Sequence, residues 1–236
     1  MDNLVFLDTE TTGIDPLVDR LVQVCYKYKG ELHFEYFKPS VPISIKSMSI
    51  SHITNKMVEK MPEFSYSEMK KDLQKIFKNN ILVAHNAVFD MDMLAKEGVL
   101  TEKYIDTLKI ARFCDTKNEI PEYNLQYLRY YFGIEIKAPA HDAKGDVLVL
   151  EAVFKSLFDK MLEEIGDEGK VIEKMIGVSK SPLLFQIFNY GKHKGKKLEE
   201  VASYDRSYLE WMLEQKLQSE NLEEDWIYTL KHYLKV

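Results

Sequence analysis

The sequence predicts an α/β fold in which helices flank a mixed sheet, followed by a small C-terminal module. Three observations carry this prediction. A strand pair joined by a tight turn lies near the start, short apolar runs then alternate with helical patterns to about residue 165, and the residue pattern changes after residue 180. An antiparallel hairpin followed by alternating strands and helices is typical of a mixed sheet.

The composition fits a globular protein and excludes several other classes. The chain has 236 residues, of which 45% are hydrophobic and 30% charged, and its formal net charge is −6. These values exclude disorder and argue against polyanion binding through bulk charge, although a local basic patch or bound cations could hold nucleic acid. No membrane span or secretory signal is recognisable, so we expect a cytoplasmic protein. Cys25 and Cys114 are too few for a disulfide scaffold or a cysteine zinc site.

The first three predicted strands are neighbours in sequence. Residues 4–7 are a buried apolar run that stops at Asp8. Residues 20–28 and 32–38 are rich in valine, tyrosine and phenylalanine, and Lys29-Gly30 between them indicates a hairpin.

Helices and strands then alternate along the chain. The predicted order is a helix at 65–77, a strand at 81–84, a helix around 89–94, a short strand at 104–107, a helix at 125–132 and a long helix at 142–165. Two glycines and two acids at 166–169 interrupt this pattern. We therefore expect one domain at 1–165, a linker at 166–180 and a small module at 181–236, with membership of 166–180 in either domain as the alternative.

Acidic residues stand at three places where a strand ends or a helix begins. Asp8 and Glu10 are two positions apart at the end of a buried strand, so the alternation of a strand directs both to one face. Asp90 lies in the first helical turn after a later strand. Asp146 lies near the start of the long helix, with His141 in the loop before it. A layered sheet can bring such positions together in one crevice.

Carboxylates crowded in this way favour a divalent cation. Two ionised carboxylates would raise each other's pKa, and a cation removes that penalty. Hard oxygen ligands suit Mg²⁺ or Mn²⁺. Taken alone, Asp8 and Glu10 could also be a solvated strand end or a helix cap.

Three segments resemble the motifs of the DEDDh 3′→5′ exonucleases. They are Phe-Leu-Asp-Thr-Glu-Thr-Thr-Gly at 6–13, Ala-His-Asn-Ala-Val-Phe-Asp at 84–90, and His141 followed after four residues by Asp146. This family includes the epsilon subunit of DNA polymerase III and exodeoxyribonuclease X. The resemblance implies a ribonuclease H-like mixed sheet of five strands, the first three antiparallel, flanked by helices.

The resemblance also implies the roles of the acidic residues. Two Mg²⁺ ions would be bound, and Mn²⁺ would serve in their place. The catalytic residues and metal ligands would include Asp8, Glu10, Asp90 and Asp146. Asp90 would orient metal-bound waters. His141 would accept the proton of the attacking water, for which a pKa near neutrality is suitable.

Other residues of these segments are expected to contact the 3′ end of the substrate. Thr9 and Thr11 would offer backbone N–H and hydroxyl groups, and Asn86 and Phe89 would contact the terminal nucleotide. His85 begins the second motif and is assigned a structural role.

Between the first two motifs, the segment Ser-His-Ile-Thr at 51–54 resembles a family segment beside the 3′ end of the substrate. His52 is therefore a substrate-binding candidate. The glycine that follows the histidine in many relatives is absent here. A helix N-terminus capped by Thr54 is the alternative.

The C-terminal module carries a second resemblance. The segments 188–196, 208–211 and 228–234 look like the C-terminal module of exodeoxyribonuclease X-like proteins. Four lysines in a short turn, with tyrosine and tryptophan nearby, suit contacts to backbone phosphates combined with base stacking, so Lys192 and Lys194 are substrate-binding candidates. A solvated turn on a small folded module is the alternative.

The functional hypothesis is a Mg²⁺-dependent 3′→5′ DNA exonuclease that releases 5′-mononucleotides in DNA repair or proofreading. The expected partner is the 3′ end of DNA, single-stranded at the active site, and replication or repair proteins are further candidates. No membrane association is expected. An RNA 3′→5′ exonuclease of the same family is one alternative, and a non-catalytic nucleic-acid-binding or polymerase-associated module is another.

Overall fold

The structure is a computed structural model and describes residues 2–136, 143–188, 190–219 and 223–236. The chain divides into two compact units, Met1–Ser179 and Lys180–Val236. Within the described residues, no helix has both the length and the apolar character that crossing a bilayer requires.

A five-stranded mixed sheet forms the centre of the first unit. Its strands are β1 (Leu4–Thr11), β2 (Leu21–Tyr28), β3 (Glu31–Tyr36), β4 (Ile81–Ala84) and β5 (Tyr104–Asp106). They lie in the order β3-β2-β1-β4-β5. The first three strands pair antiparallel, whereas β4 is parallel to both β1 and β5. The predicted α/β class and mixed five-stranded sheet are thus confirmed.

Helices accompany this sheet along the chain. They are α1 (Ile45–Ser51), α2 (Asn55–Val58), a 3-10 turn (Phe64–Tyr66), α3 (Glu68–Ile76), α4 (Ala87–Lys96), α5 (Thr107–Cys114), α6 (Leu125–Tyr131), α7 (Ala143–Ile165) and α8 (Glu168–Lys180).

Alternation along β1 divides the core into two layers. Leu4 and Phe6 pack with α5, α6, α7 and α8, whereas Val5 and Leu7 pack with α3 and α4. Even-numbered residues of β1 therefore face α7.

The long helix α7 packs on the sheet through one apolar stripe. Its buried side chains recur at three- and four-residue spacing, as at Val147, Leu150, Val153, Phe154, Leu157, Phe158 and Met161. Full burial of a large apolar side chain contributes about 1.5–3 kcal/mol. This packing fixes the first turn of α7, including Asp146, against the sheet.

Two segments of the first unit differ from the expectations. β1 continues beyond Asp8 to Thr11, because its pairing with β2 continues through Asp8 opposite Cys25 and Glu10 opposite Gln23. The segment expected as a linker at 166–180 carries α8, whose buried residues at helical spacing join the core of the first unit. Gly166, with φ of 75°, ends α7 without ending the packed unit.

The second unit is a small helical module. Its helices are α9 (Leu198–Tyr204), α10 (Arg206–Gln218) and α11 (Glu224–Leu234). They share a core whose largest members include Phe188, Leu209, Trp226 and Leu230. A short antiparallel bridge between Ile187 and Lys197 precedes the helices. The two later helices bury residues at helical spacing, Leu209, Met212 and Leu213 on α10 and Trp226, Leu230 and Leu234 on α11.

Candidate active site

Three carboxylates meet where β1 approaches the first turn of α7. Asp8 and Glu10 lie on the face of β1 that α7 covers, and Asp146 lies on α7 itself. One potential ligand oxygen from each residue lies within 4.8 Å of the other two. Asp146 is buried and the other two are half-buried, so the cluster stands at the edge of the core. Long-range pairing and helix packing thus bring together residues almost 140 positions apart in sequence.

A glutamine on β2 holds the start of α7 beside the cluster. Gln23 is fully buried and stands directly opposite Glu10 in the strand register. Its Oε1 accepts a hydrogen bond from the backbone N–H of Ala143 at 3.1 Å. The bond satisfies one of the free N–H groups of the helix N-terminus and places Asp146 one turn further along. A polar residue within an apolar strand was the sequence signal for this role.

A second glutamine contacts the cluster directly. Gln126 on α6 donates a hydrogen bond from Nε2 to Oδ1 of Asp146 at 2.6 Å. Arg129 donates to Oε1 of Gln126 at 3.2 Å and also to the backbone carbonyl of Ile136, which fixes the amide orientation. Sequence reasoning missed Gln126, because α6 reaches α7 only through the tertiary fold.

The fourth predicted acid, Asp90, reaches the same region from the other face of the sheet. It is buried in the first turn of α4 and accepts a hydrogen bond from the Thr9 hydroxyl at 2.7 Å. Asp90 is not one of the three residues of the compact cluster. Thr9 links it to the strand position between Asp8 and Glu10. Burial raises the pKa of Asp90 to about 7, and the hydrogen bond from Thr9 opposes that increase.

The corner after β4 is held from two directions. Asn86 has a left-handed conformation with φ of 65°, and its backbone N–H donates to Oδ1 of Asp106 at 3.0 Å. The His85 ring lies 2.9 Å from Thr107 Oγ1 and 2.7 Å from the carbonyl oxygen of Tyr123. Burial lowers the pKa of His85 to about 4, so the imidazole is neutral at physiological pH. The corner is therefore shaped by Asp106, which sequence reasoning missed, and by His85.

The other predicted substrate-binding residues near this region lie at the surface or in internal contacts. The side chain of Asn86 is exposed, and Phe89 is half-buried against the α4 core. The hydroxyl of Thr11 donates to the carbonyl of Gly13 at 2.5 Å. His52 is exposed and ends α1 in a left-handed conformation, while Thr54 caps α2. The segment thus contains both the exposed histidine and the capped helix start that the sequence left as alternatives.

The loop after the first motif keeps a tight conformation. Thr12 donates to Asp19 at 2.7 Å, and the backbone N–H of Asp15 donates to the same carboxylate at 2.9 Å. A Cβ at Gly13 would lie 2.3 Å from an oxygen of Asp19. Glycine is therefore required at this position if Asp19 is to close the loop.

His141, predicted as the proton acceptor, lies outside the described residues, as does its neighbour Asp142.

The two lysines predicted to bind substrate lie in the second unit. Lys192 is exposed and forms an ion pair of 2.7 Å with Asp205. Lys194 is exposed.

The acidic cluster fits a divalent cation by the chemistry of its donors. Three carboxylates supply only hard oxygen ligands, and their close spacing is unfavourable unless positive charge compensates it. Asp8, Glu10 and Asp146 are the residues that would hold the ion.

Two family profiles match the sequence. The profile described as Exonuclease covers residues 5–154, which is more than half of the chain, and the profile described as Exodeoxyribonuclease X-like C-terminal covers residues 188–216. Among similar proteins, DNA polymerase III subunit epsilon of Treponema pallidum is 32% identical over 161 residues, which are 64% of this chain and 74% of that protein. Exodeoxyribonuclease 10 of Escherichia coli K12 is 26% identical over 98% of this chain and 99% of its own length.

Solved exonuclease structures share the fold. Exonuclease X in complex with 5′ overhanging duplex DNA has a TM-score of 0.56 at 24% identity, covering 75% of this chain and 99% of that one. E. coli exonuclease I in complex with a dT13 oligonucleotide has a TM-score of 0.58 at 22% identity, covering 69% of this chain and 42% of that one. The sheet is thus of the ribonuclease H-like type, as the sequence motifs implied.

Proposed function

The chain belongs to the exonuclease family, and on that premise we propose that it is a Mg²⁺-dependent 3′→5′ exonuclease that removes 5′-mononucleotides from DNA. The observation that carries this proposal is the convergence of Asp8, Glu10 and Asp146 within 4.8 Å. A non-catalytic binding module would have no need of three crowded carboxylates, whereas phosphodiester hydrolysis uses the cations that such a group holds.

The three clustered acids bind the cations, and two Mg²⁺ ions are proposed. When bound, the cations supply an acidified water and neutralise the charge that develops on the scissile phosphate. Gln126 keeps the Asp146 carboxylate in one orientation, and Gln23 keeps the helix that carries Asp146 in place. Asp90, held by Thr9, orients water on the α4 side of the site.

His141 accepts the proton of the attacking water in this proposal. Its position five residues before Asp146 brings it near the start of α7 in sequence. A histidine is suitable because its ordinary pKa lies near neutral pH. His85 does not take this role, because burial keeps its pKa at about 4 and both ring nitrogens face internal partners.

The 3′-terminal nucleotide is proposed to lie over the corner at Asn86. The exposed side chain of Asn86 supplies hydrogen bonds, Phe89 supplies an apolar contact, and the exposed His52 is a further contact of this proposal. Thr11 contributes through its backbone N–H group, since its hydroxyl donates to the carbonyl of Gly13. Thr9 contributes by holding Asp90, which accepts hydrogen bonds from both the hydroxyl and the backbone N–H of Thr9.

DNA is the proposed substrate because of the relatives. Their names include a DNA polymerase III subunit and an exodeoxyribonuclease, and two solved neighbours hold DNA. A role in DNA repair or proofreading, with replication or repair proteins as partners, is part of this proposal, as is a location in the cytoplasm.

A gel assay tests this function. DNA and RNA single strands of equal sequence, labelled at the 5′ end, are incubated with the protein in Mg²⁺, in Mn²⁺ and in EDTA. We expect a DNA ladder that shortens from the 3′ end in single-nucleotide steps, and no cleavage in EDTA.

Two variants on the same helix make the assay specific to the cluster. Asp146→Asn should abolish cleavage, while Asp159→Asn, an exposed residue of α7 paired with Lys155, should leave it unchanged. Cleavage that persists in EDTA or in Asp146→Asn would reject the proposed mechanism. A ladder seen only with RNA would reassign the substrate.

A further inference from the structure

The second unit presents a rigid turn that is rich in lysine. The lysine turn, residues 190–197, contains four lysines and no acidic residue. Its ends are joined by backbone hydrogen bonds between Phe188 and both Gly195 and Lys196, next to the bridge from Ile187 to Lys197. Two tight backbone bonds, from Lys194 to Gly191 and from Lys196 to His193, fix its interior. The turn is therefore held in one backbone conformation.

The turn is also anchored to the helices beneath it. The His193 side chain is 3% exposed and lies 2.8 Å from Asp205, which pairs with Lys192 as well. These two partners lower the pKa of Asp205 to about 2. A Cβ at Gly191 would lie 2.8 Å from the Tyr208 hydroxyl, so the chain passes close over that ring. The buried histidine points inward while the lysines on either side point outward.

A row of aromatic rings continues from the turn across α9 and α10. This aromatic row consists of Tyr204, His193, Tyr208 and Trp211, with successive ring centroids 5.8, 4.8 and 5.6 Å apart. Tyr204 and Trp211 at its ends are 57% and 54% exposed. Exposed aromatic rings of this size are the surfaces on which unpaired bases stack.

Charge along the row is supplied by the turn. Lys192 lies 5.6 Å from the centre of the Tyr208 ring, and Lys196 lies 5.4 Å from that of Tyr204. The carboxylate of Asp205 neutralises the charge of Lys192. Lys194 and Lys197 form no ion pair within the described parts of the chain. In the same parts, the Lys196 ammonium donates a hydrogen bond only to the neutral hydroxyl of Tyr204. The uncompensated charge of the lysine turn itself is therefore positive.

We propose that the lysine turn and the aromatic row form a second binding site, for single-stranded DNA, with Lys194 and Lys196 contacting phosphates and Tyr204 and Trp211 stacking on bases. Lysines beside exposed rings match the alternation of phosphate and base along a single strand, whereas a protein partner would have no repeated anion to match them. The identity of the ligand rests on the proposed DNA substrate. The rigid turn reduces the entropic cost of binding, because its lysines are already presented on a fixed backbone.

The test measures binding with catalysis switched off. Fluorescence anisotropy of a labelled oligothymidylate is followed with the full-length protein in EDTA, at several KCl concentrations. Loss of two phosphate contacts in the double variant Lys194→Gln, Lys196→Gln should reduce the slope of log affinity against log salt by about 1.4. The control Lys231→Gln, Lys235→Gln removes the same charge from exposed positions at the C-terminal end of α11 and should leave the slope nearly unchanged.

The aromatic part is tested by substitution at Trp211. Trp211→Ala should weaken binding about 5- to 100-fold, whereas Trp211→Phe keeps a stacking surface and most of the affinity. Three results would each overturn the second site. The unmodified protein does not bind the oligothymidylate in EDTA, the turn variant keeps the slope of the unmodified protein, or the α11 control loses as much slope as the turn variant. The gel assay in Mg²⁺ reports separately on the proposed exonuclease, so the two failures are distinguishable.

Discussion

Neutral His85 should make the stability of the protein depend on pH in a defined window. The ring lies at the corner after β4, and its removal from water there lowers the pKa from the ordinary value of 6.5 to about 4. Between these values the unfolded chain binds a proton that the folded chain does not. The free energy of unfolding therefore decreases as the pH falls through this window, and the decrease is complete below pH 4.

The size of this effect follows from the two pKa values. They differ by about 2.5, and one pKa unit corresponds to about 1.36 kcal/mol, so the full loss is about 3.4 kcal/mol. At pH 5 the loss is already about 2 kcal/mol by the same linkage. Burial also raises the pKa values of Asp90 and Asp106, so these carboxyl groups add their own pH dependence to the stability. A comparison between variants is therefore needed to isolate His85.

The perturbation is His85→Gln, which removes the titrating ring and leaves a polar side chain. Urea unfolding in EDTA is measured for both proteins at pH 7.5 and pH 5. At pH 7.5 the unmodified protein should be more stable by about 1–3 kcal/mol, because the variant disturbs two partly buried hydrogen bonds. At pH 5 this advantage should shrink by about 2 kcal/mol. Parallel stability profiles for the two proteins would refute the inference that His85 is neutral in the folded state.

Two further predictions concern contacts beside the acidic cluster. Gln126→Ala should weaken divalent-cation affinity by about 10- to 100-fold, measured by titration calorimetry, because Asp146 loses the group that orients it. Thr9→Val should lower the free energy of unfolding at pH 8 by about 1.5–3 kcal/mol in urea, because the buried Asp90 carboxylate loses a hydrogen bond.

Matched variants serve as controls for these two predictions. Gln74→Ala removes a glutamine that bonds to the carbonyl of Gly98 on the surface and should leave cation affinity unchanged. Thr11→Val removes a hydroxyl whose acceptor is a neutral carbonyl, so its effect should be smaller than that of Thr9→Val. Equal effects within either pair would contradict the role assigned to the tested residue.

Local pattern in the sequence was sufficient for the elements with strong periodicity. The apolar run at 4–7, the hairpin at Lys29-Gly30 and the stripe of α7 correspond to β1, the β2–β3 connection and the long helix. Short elements lack such a stripe: the start of α2 was indicated only by the capping residue Thr54, and α9 had no comparable signal. The glycines at 166 and 169 suggested a linker, but the apolar spacing of Val171, Met175 and Val178 places α8 in the core.

The sequence by itself was sufficient to assign Asp8, Glu10 and Asp146 to one site. All three lie in segments that resemble the family motifs, and strand alternation directs the first two to one face. Only the tertiary structure decided what surrounds them. Gln23 and Gln126 reach the cluster through strand register and helix packing, and Asp90 reaches it from the opposite face through Thr9. Such contacts depend on which elements become neighbours, and that choice is made by burial of the whole core rather than by any local pattern.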